Sequence, residues 1–235
     1  MLLVKFCLRF FALILAVIFF VPVQVSAEGE VTRIILVRHG ETPYNKAGRY
    51  QGWTDVPLNE TGIKQAEALA EYLKDVPIDV FISSPLKRAY LTTQKVAELQ
   101  GKEIAYTDPR LREINYGDWA KQYTADLEKK YPQQYALWMR KPWLVIHPNG
   151  ESVQEMAERG RAALYDAVSK YPGKTIFIGA HSLINIAIIC DVLNLGQEHF
   201  RQFPQSNTCI NVLEYKDGAW RALLINSTAH LNKLF

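Results

Sequence analysis

The sequence predicts an α/β fold: a three-layer sandwich with a largely parallel central sheet flanked by helices and a small helical cap beside it. Three observations carry this expectation. Short apolar runs rich in β-branched residues recur at Thr32–Val37, Ile78–Ile82 and Lys174–Ala180, without the in-out alternation of a sheet that keeps one wet face. Segments with apolar residues at helical spacing lie between them. Near the end, Asp217-Gly218 separates two strand-like runs, a good hairpin signal.

Taken in order, Thr32–Val37 (TRIILV) reads as the first buried strand. From Asn59 to Leu73, apolar or small residues fall at positions 63, 66, 69, 70 and 73, and Asn59 offers the side-chain oxygen that a helix start needs. Ile78–Ile82 is a second strand, stopped by Ser83-Ser84-Pro85, and a helix follows to about Leu99. Glu103–Tyr106 is a candidate short strand. Residues 122–139 and 151–170 carry helical spacing, separated by Pro142, Pro148 and Gly150. Lys174–Ala180 is the third buried strand and Leu183–Leu193 a very apolar helix. Thr208–Tyr215 and Trp220–Ile225 form the hairpin, placed at one side of the sheet. The 107–150 stretch is the candidate cap.

Of 235 residues, 49% are hydrophobic and 22% charged, which excludes a disordered chain. The 27 Lys+Arg barely exceed the 24 Asp+Glu, so nothing points to a nucleic-acid partner, which selects a basic face. Residues 1–27 follow the order of an export signal: Lys5 and Arg9, an uncharged apolar run from Phe10 to Val23, then Val25-Ser26-Ala27 for cleavage. That run is shorter than the roughly 20 residues a spanning helix needs. The reading is a signal peptide at 1–27, with an uncleaved N-terminal anchor as the alternative, followed by one exported domain at 28–235. A membrane enters only through the leader, if it is retained. In an oxidising compartment Cys190 and Cys209 could pair; two buried thiols, one in a helix and one in a strand, are the favoured reading.

Several chemistries are absent. The chain has no GxxxxGK[ST] loop, no GxSxG elbow and no HExxH helix. Neither Cys190 nor Cys209 has an arginine six residues later, as a cysteine phosphatase needs. The carboxylates show no clustering suited to a metal cage, so no cofactor is expected.

The informative cluster is Arg38-His39-Gly40-Glu41-Thr42, directly after the first strand. Ligand crevices of open α/β sheets lie at the carboxyl ends of strands. His181, in Gly179-Ala180-His181-Ser182, holds the same position after another buried strand. Arg88 follows the strand at 78–82 in the first turn of a helix, where free N–H groups and a planar guanidinium both suit an anion. Three strand ends thus deliver Arg38, His39, Arg88 and His181 to one pocket for a dianion. His147, His199 and His230 have no such context and read as structural.

At this point the chain resembles the histidine phosphatase superfamily, with its phosphoglycerate-mutase-like fold. The resemblance rests on LVRHGETPYNKAGRYQGWTDVPLNETG (36–62), SSPLKRAYLTTQ (83–94), LREINYGDW (111–119), NGES (149–152), GAHS (179–182) and NVLEY (211–215). It implies that His39 is a nucleophile that becomes phosphorylated, that Arg38, Arg88 and His181 hold the phosphoryl oxygens, and that Glu113 protonates the leaving group. Asn45, Gln51, Gly52 and Ser182 are the implied lining of the phosphate pocket. The chain departs from the family pattern at Ser182-Leu183, where a small pair is common, and at Ala120-Lys121, where Glu-Gly often follows GDW. Both departures bear on the substrate and leave the phosphate chemistry standing.

The implied activity is a metal-independent, broad-specificity hydrolase of small phosphomonoesters. A neutral imidazole near pH 7 makes a competent nucleophile. An alkoxide leaves poorly unless protonated, so Glu113 must be protonated when substrate is bound. Two alternatives stand beside this reading. One is a mutase that returns the phosphoryl group to a bound phosphoglycerate. The other is a non-catalytic phospholigand sensor, which is expected to lack at least one of Arg38, His39, Arg88, Glu113 and His181.

Overall fold

The structure is a computed structural model that describes residues 29–232. The leader at 1–27 lies outside the described residues. In chain order the elements are β1 (Thr32–Arg38), α1 (Pro43–Lys46), α2 (Glu60–Leu73), β2 (Val80–Ser83), α3 (Lys87–Leu99), β3 (Tyr106–Thr107), α4 (Thr124–Lys130), α5 (Pro132–Arg140), α6 (Val153–Lys170), β4 (Thr175–Ala180), α7 (Ser182–Val192), β5 (Ile210–Lys216) and β6 (Ala219–Ser227).

The six strands form one sheet in the order β3-β2-β4-β1-β5-β6. β1, β4, β2 and β3 run parallel, and β5 returns antiparallel between β1 and β6. Strand side chains alternate between faces, and here both faces are covered. Ile34, Leu36, Ile82, Ile176 and Ile178 belong to one apolar cluster, with Val153, Met156 and Leu164 of α6 and Ile184 and Ile188 of α7. Ile35, Val37, Phe81 and Phe177 belong to the other, with Leu69 and Leu73 of α2 and Val96 of α3. Burying each such side chain stabilises the fold by roughly 1.5–3 kcal/mol. The parallel register sets Arg38 beside Ala180, so the next residue along each strand is a histidine and both leave the sheet at the same rung.

Local chemistry explains most boundaries. Asn59 caps α2 by accepting from the Gly62 N–H at 2.8 Å. Asp217 and Gly218 take φ of 51° and 80° in the β5–β6 turn, the left-handed pair that a tight hairpin requires. Gly40 and Gly62 let the first loop and the start of α2 touch: a Cβ on Gly40 would lie 2.5 Å from the Gly62 carbonyl oxygen.

Four expectations need correction. β2 begins at Val80; one residue earlier the Asp79 N–H donates to Thr175 O at 2.8 Å, while the Thr175 N–H goes to the Asp79 carboxylate at 2.8 Å and not to a main-chain carbonyl. The strand expected at Glu103–Tyr106 is confined to Tyr106–Thr107. The single helix expected over 122–139 is two, broken at Tyr131 (φ −129°, ψ 53°) ahead of Pro132, since a residue before proline avoids helical angles. Cys209 sits one residue before β5, outside any strand; like Cys190 in α7 it is a buried free thiol.

Candidate active site

β1, β4 and β2 end at one cleft of about 250 Å³. Its walls include Arg38, His39, Asn45, Gln51, Gly52, Arg88, Glu113 and Ser182. His181 lies behind that wall, its ring centroid 5.2 Å from that of His39. The structure therefore brings together every residue that the sequence assigned to the site.

His39 is held in one tautomer. Its Nδ1 lies 2.7 Å from the Gly40 carbonyl oxygen, so Nδ1 carries the proton and donates, and Nε2 keeps the lone pair. Its main chain is fixed as well: the His39 N–H donates to Ala180 O at 3.1 Å, and the His39 carbonyl accepts from the Thr208 N–H at 3.2 Å and Asn207 Nδ2 at 3.0 Å. Burial, then Arg88 and Arg38, holds the imidazole well below its ordinary pKa of 6.5. His181 is lowered in the same way, by burial, Arg88 and His39.

The two arginines are anchored by carbonyls rather than carboxylates. Arg88 donates to Gly52 O at 2.7 Å and Thr54 O at 2.9 Å. Arg38 donates to Gln205 O at 2.5 Å. Among the described residues no carboxylate forms an ion pair with either one. Burial lowers the pKa of Arg88 to about 10, which still leaves it cationic near pH 7. Arg38 Nε, Arg88 Nε and His181 Nδ1 are buried and have no partner among the described residues. Buried polar atoms are nearly always paired, so the two unpartnered arginine Nε–H groups at the cleft wall, with His181 behind them, mark a place for an acceptor-rich ligand.

Asn45 and Gln51 are aimed by a capping box. Asn45 Oδ1 accepts from the Thr42 N–H at 3.2 Å, while Thr42 Oγ1 donates to Gln51 Oε1 at 2.9 Å. Both amide oxygens are thereby occupied, and each side chain keeps its NH2 end to offer an anion.

Glu113 is almost fully buried and accepts from the Ile114 N–H at 3.0 Å. The Leu183 N–H, in the first turn of α7, lies 3.2 Å from both carboxylate oxygens. Burial raises its pKa; those two N–H groups, Arg88 and Arg38 oppose the rise. This placement corrects one expectation. The helix start expected to serve the anion is that of α3, yet the Lys87 N–H donates to Asp55 Oδ1 at 2.7 Å. The helix start that faces the site belongs to α7, and it holds Glu113.

Sequence reasoning missed Gln205, Asn207 and Ser84, the last with its Oγ 2.8 Å from His181 Nε2. A topological signal exists for the first two. A strand antiparallel to β1 must begin where β1 ends, so the Pro204–Asn207 loop before β5 reaches the site. Tyr44, Gly48, Arg49, Tyr50, Tyr116, Thr124 and Leu183 complete the cleft. Of the histidines read as structural, His147 packs among Tyr116, Trp119 and Trp138, and His230 lies 2.9 Å from Thr208 Oγ1. Among the described residues no cluster of His, Cys, Asp and Glu is suited to holding a metal ion.

Comparison with known proteins places this site in context. A family profile, "Histidine phosphatase superfamily (branch 1)", matches residues 34–228. Phosphoserine phosphatase 1 of Hydrogenobacter thermophilus is 33% identical over 205 residues, 87% of this chain and 97% of that protein. A protein named "Probable phosphoglycerate mutase GpmB" from Yersinia pestis is 32% identical over 205 residues, 85% of this chain and 95% of that protein. Among solved structures, Bacillus stearothermophilus YhfR superposes with a TM-score of 0.82 at 27% identity, over 86% of this chain and 100% of that one.

Proposed function

We propose that this chain, which belongs to the histidine phosphatase superfamily and is a phosphomonoester hydrolase, works by a phosphohistidine relay between His39 and Glu113. The observation that carries this reading is the locked His39 tautomer facing a cleft lined by Arg38 and Arg88, each with a buried Nε–H that has no partner among the described residues. The substrate is a small phosphomonoester.

The phosphoryl group fits among Arg38, Arg88, His181 and the amides of Asn45 and Gln51. Two fixed cations without carboxylate partners stabilise the equatorial oxygens of a transferring phosphoryl group, and anchorage in advance avoids reorganisation during reaction. His39 Nε2 donates its lone pair to phosphorus as the ester P–O bond breaks. Glu113 gives its proton to the departing alkoxide oxygen. The depressed pKa of His39 keeps the nucleophile unprotonated, and the bound dianion adds to the burial that favours protonated Glu113. In the second half, Glu113 takes a proton from water as that water attacks phosphorus, the P–N bond breaks and orthophosphate leaves.

The leader supports an extracytoplasmic location for the domain that follows it. The experiment for the relay is a rapid quench during turnover of a labelled phosphomonoester. The expected result is alkali-stable, acid-labile label on His39; acid-stable label, or label elsewhere, overturns the assignment. Including phosphoglycerates with a bisphosphoglycerate in the substrate panel separates net hydrolysis from a mutase exchange.

A further inference from the structure

The proton donor sits on a segment with no regular structure of its own. Residues 113–116 are neither helix nor strand. General acid catalysis nevertheless needs the carboxyl within hydrogen-bond reach of the leaving oxygen. Something outside the segment has to hold it.

Trp53 Nε1–H donates to Glu113 O at 2.7 Å and the Leu183 N–H reaches the carboxylate, and one side chain on α6 ties several points of the neighbouring main chain together. Arg159 Nη1 donates to Arg110 O and to Arg112 O, both at 2.6 Å, and Nη2 donates to Glu113 O at 2.9 Å. Three carbonyls of the 110–113 stretch, Glu113 and the chain leading into it, therefore converge on one guanidinium. Its remaining donors go to Glu151: Nε to Oε1 at 2.8 Å and Nη2 to Oε2 at 3.0 Å. Glu151 closes the loop, since Oε2 accepts from the Asn115 N–H at 2.9 Å and the Glu151 N–H donates to Asn115 O at 2.9 Å. The pair is mostly buried, with the side chains 18% and 12% exposed, and Arg159 is not part of the cleft wall. A planar fork with five N–H donors suits this task, because it fixes several carbonyls in one plane. Lysine offers three donors from a point charge and cannot reproduce that geometry.

We propose that Arg159, oriented by Glu151, is a positioning residue for the general acid: it sets where Glu113 presents its proton without touching substrate. The inference rests on the assignment of Glu113 as proton donor. A displacement of about 1 Å at a reacting group costs up to about a hundredfold in rate. The loss falls selectively on substrates whose leaving group needs protonation. An activated aryl ester expels a stable phenolate and depends little on Glu113; an alkyl ester depends on it heavily.

The test is the ratio of kcat/KM for glycerol 2-phosphate to kcat/KM for p-nitrophenyl phosphate. Both are measured on one preparation of the full chain, so the folded fraction cancels. Glu113→Gln lowers this ratio about 10- to 100-fold. Arg159→Lys and Arg159→Met lower it about three- to thirtyfold, in the same direction. The double variant E113Q/R159K falls no further than E113Q alone, because both changes act through one group. If the Arg159 variants lose activity on both esters equally, the wild-type ratio persists and the positioning role is overturned. If Glu113→Gln itself leaves the ratio unchanged, it is the proton-donor assignment that fails. The two failures are thus read from different variants.

Discussion

The phosphate end of the cleft and its cap are built by different means. At the phosphate end the two histidines and two arginines sit at strand ends of one sheet or in the helix that follows. Arg88 and His181 are 0% exposed, and His39 3%. The cap at 124–147 holds together through a cluster of rings packed mostly edge-on or tilted, Tyr131, Tyr135, Trp138 and His147 around Trp119, and it exposes Met139, Leu144 and Ile146 to solvent. The difference is one of tolerance. Main-chain ladders specify atomic positions to the precision that phosphoryl transfer needs, whereas packed rings hold a shape that other side chains can replace. One phosphate machine can therefore serve different leaving groups through different caps.

Breaking the phosphate end gives the largest effects. His39→Ala removes the nucleophile and is expected to lower kcat for p-nitrophenyl phosphate by at least about 10³-fold, on the scale of losing a covalent route. Near-normal turnover in that variant would remove the assignment. Arg88→Met is expected to cost about 10²- to 10³-fold in kcat, the range for losing one preorganised electrostatic contact. It also strands the carbonyls of Gly52 and Thr54 that Arg88 satisfies. A loss of only a few-fold would show that Arg38 and His181 suffice.

pH sharpens the same contrast. Burial depresses His39 and His181 well below 6.5 and takes His230 to about 4. Protons then bind the unfolded chain more readily than the folded one. Stability is fully present above about pH 6.5, the unfolded histidine value, and is lost as pH falls toward the folded values. Thermal midpoints are expected to fall from pH 7 to pH 5, and a phosphate-like anion should raise them by binding only the folded state. Glu113 moves the other way. Its raised pKa keeps the donor protonated to higher pH than an ordinary carboxyl. Alkyl-ester turnover should therefore decline at a lower pH than aryl-ester turnover as pH rises. Coincident profiles on the two esters would argue against the acid role.

The same division decides what the sequence reveals. His39 and His181 are legible because a strand's apolar run announces its own end, and β1 and β4 share a register. Glu113 is legible through the motif around it, although its neighbours in space are α6 and α7. Gln205 and Asn207 reach the site only because β5 turns back along β1, a pairing that no local pattern encodes. Arg159 is quieter still: apart from Glu151 its partners are carbonyls, which every residue possesses, so its hold on the donor stretch leaves no trace in residue type. The broken cap helix shows the opposite error, where apolar spacing runs on through Tyr131-Pro132 while the backbone cannot.

The gentlest disturbance is of the seam between the two regions. Arg49 lines the cleft and clamps the cap's first turn to the phosphate loop. Its Nε and Nη2 donate to Lys121 O at 2.9 and 2.6 Å, and its guanidinium lies 4.4 Å from the Tyr44 ring and 4.8 Å from the Tyr123 ring. Main-chain bonds cross the same seam, Tyr50 N–H to Gln122 O at 3.0 Å and Thr124 N–H to Gly48 O at 3.1 Å, so losing the arginine loosens the clamp without opening it. Cation–π contacts at exposed sites contribute about 0.5–1 kcal/mol each. Arg49→Met is accordingly expected to raise KM for glycerol 2-phosphate about three- to tenfold while kcat stays within about twofold, the pattern of lost uniform binding. A fall in kcat at constant KM would instead mean that the seam transmits strain to His39, and that the two regions are one machine.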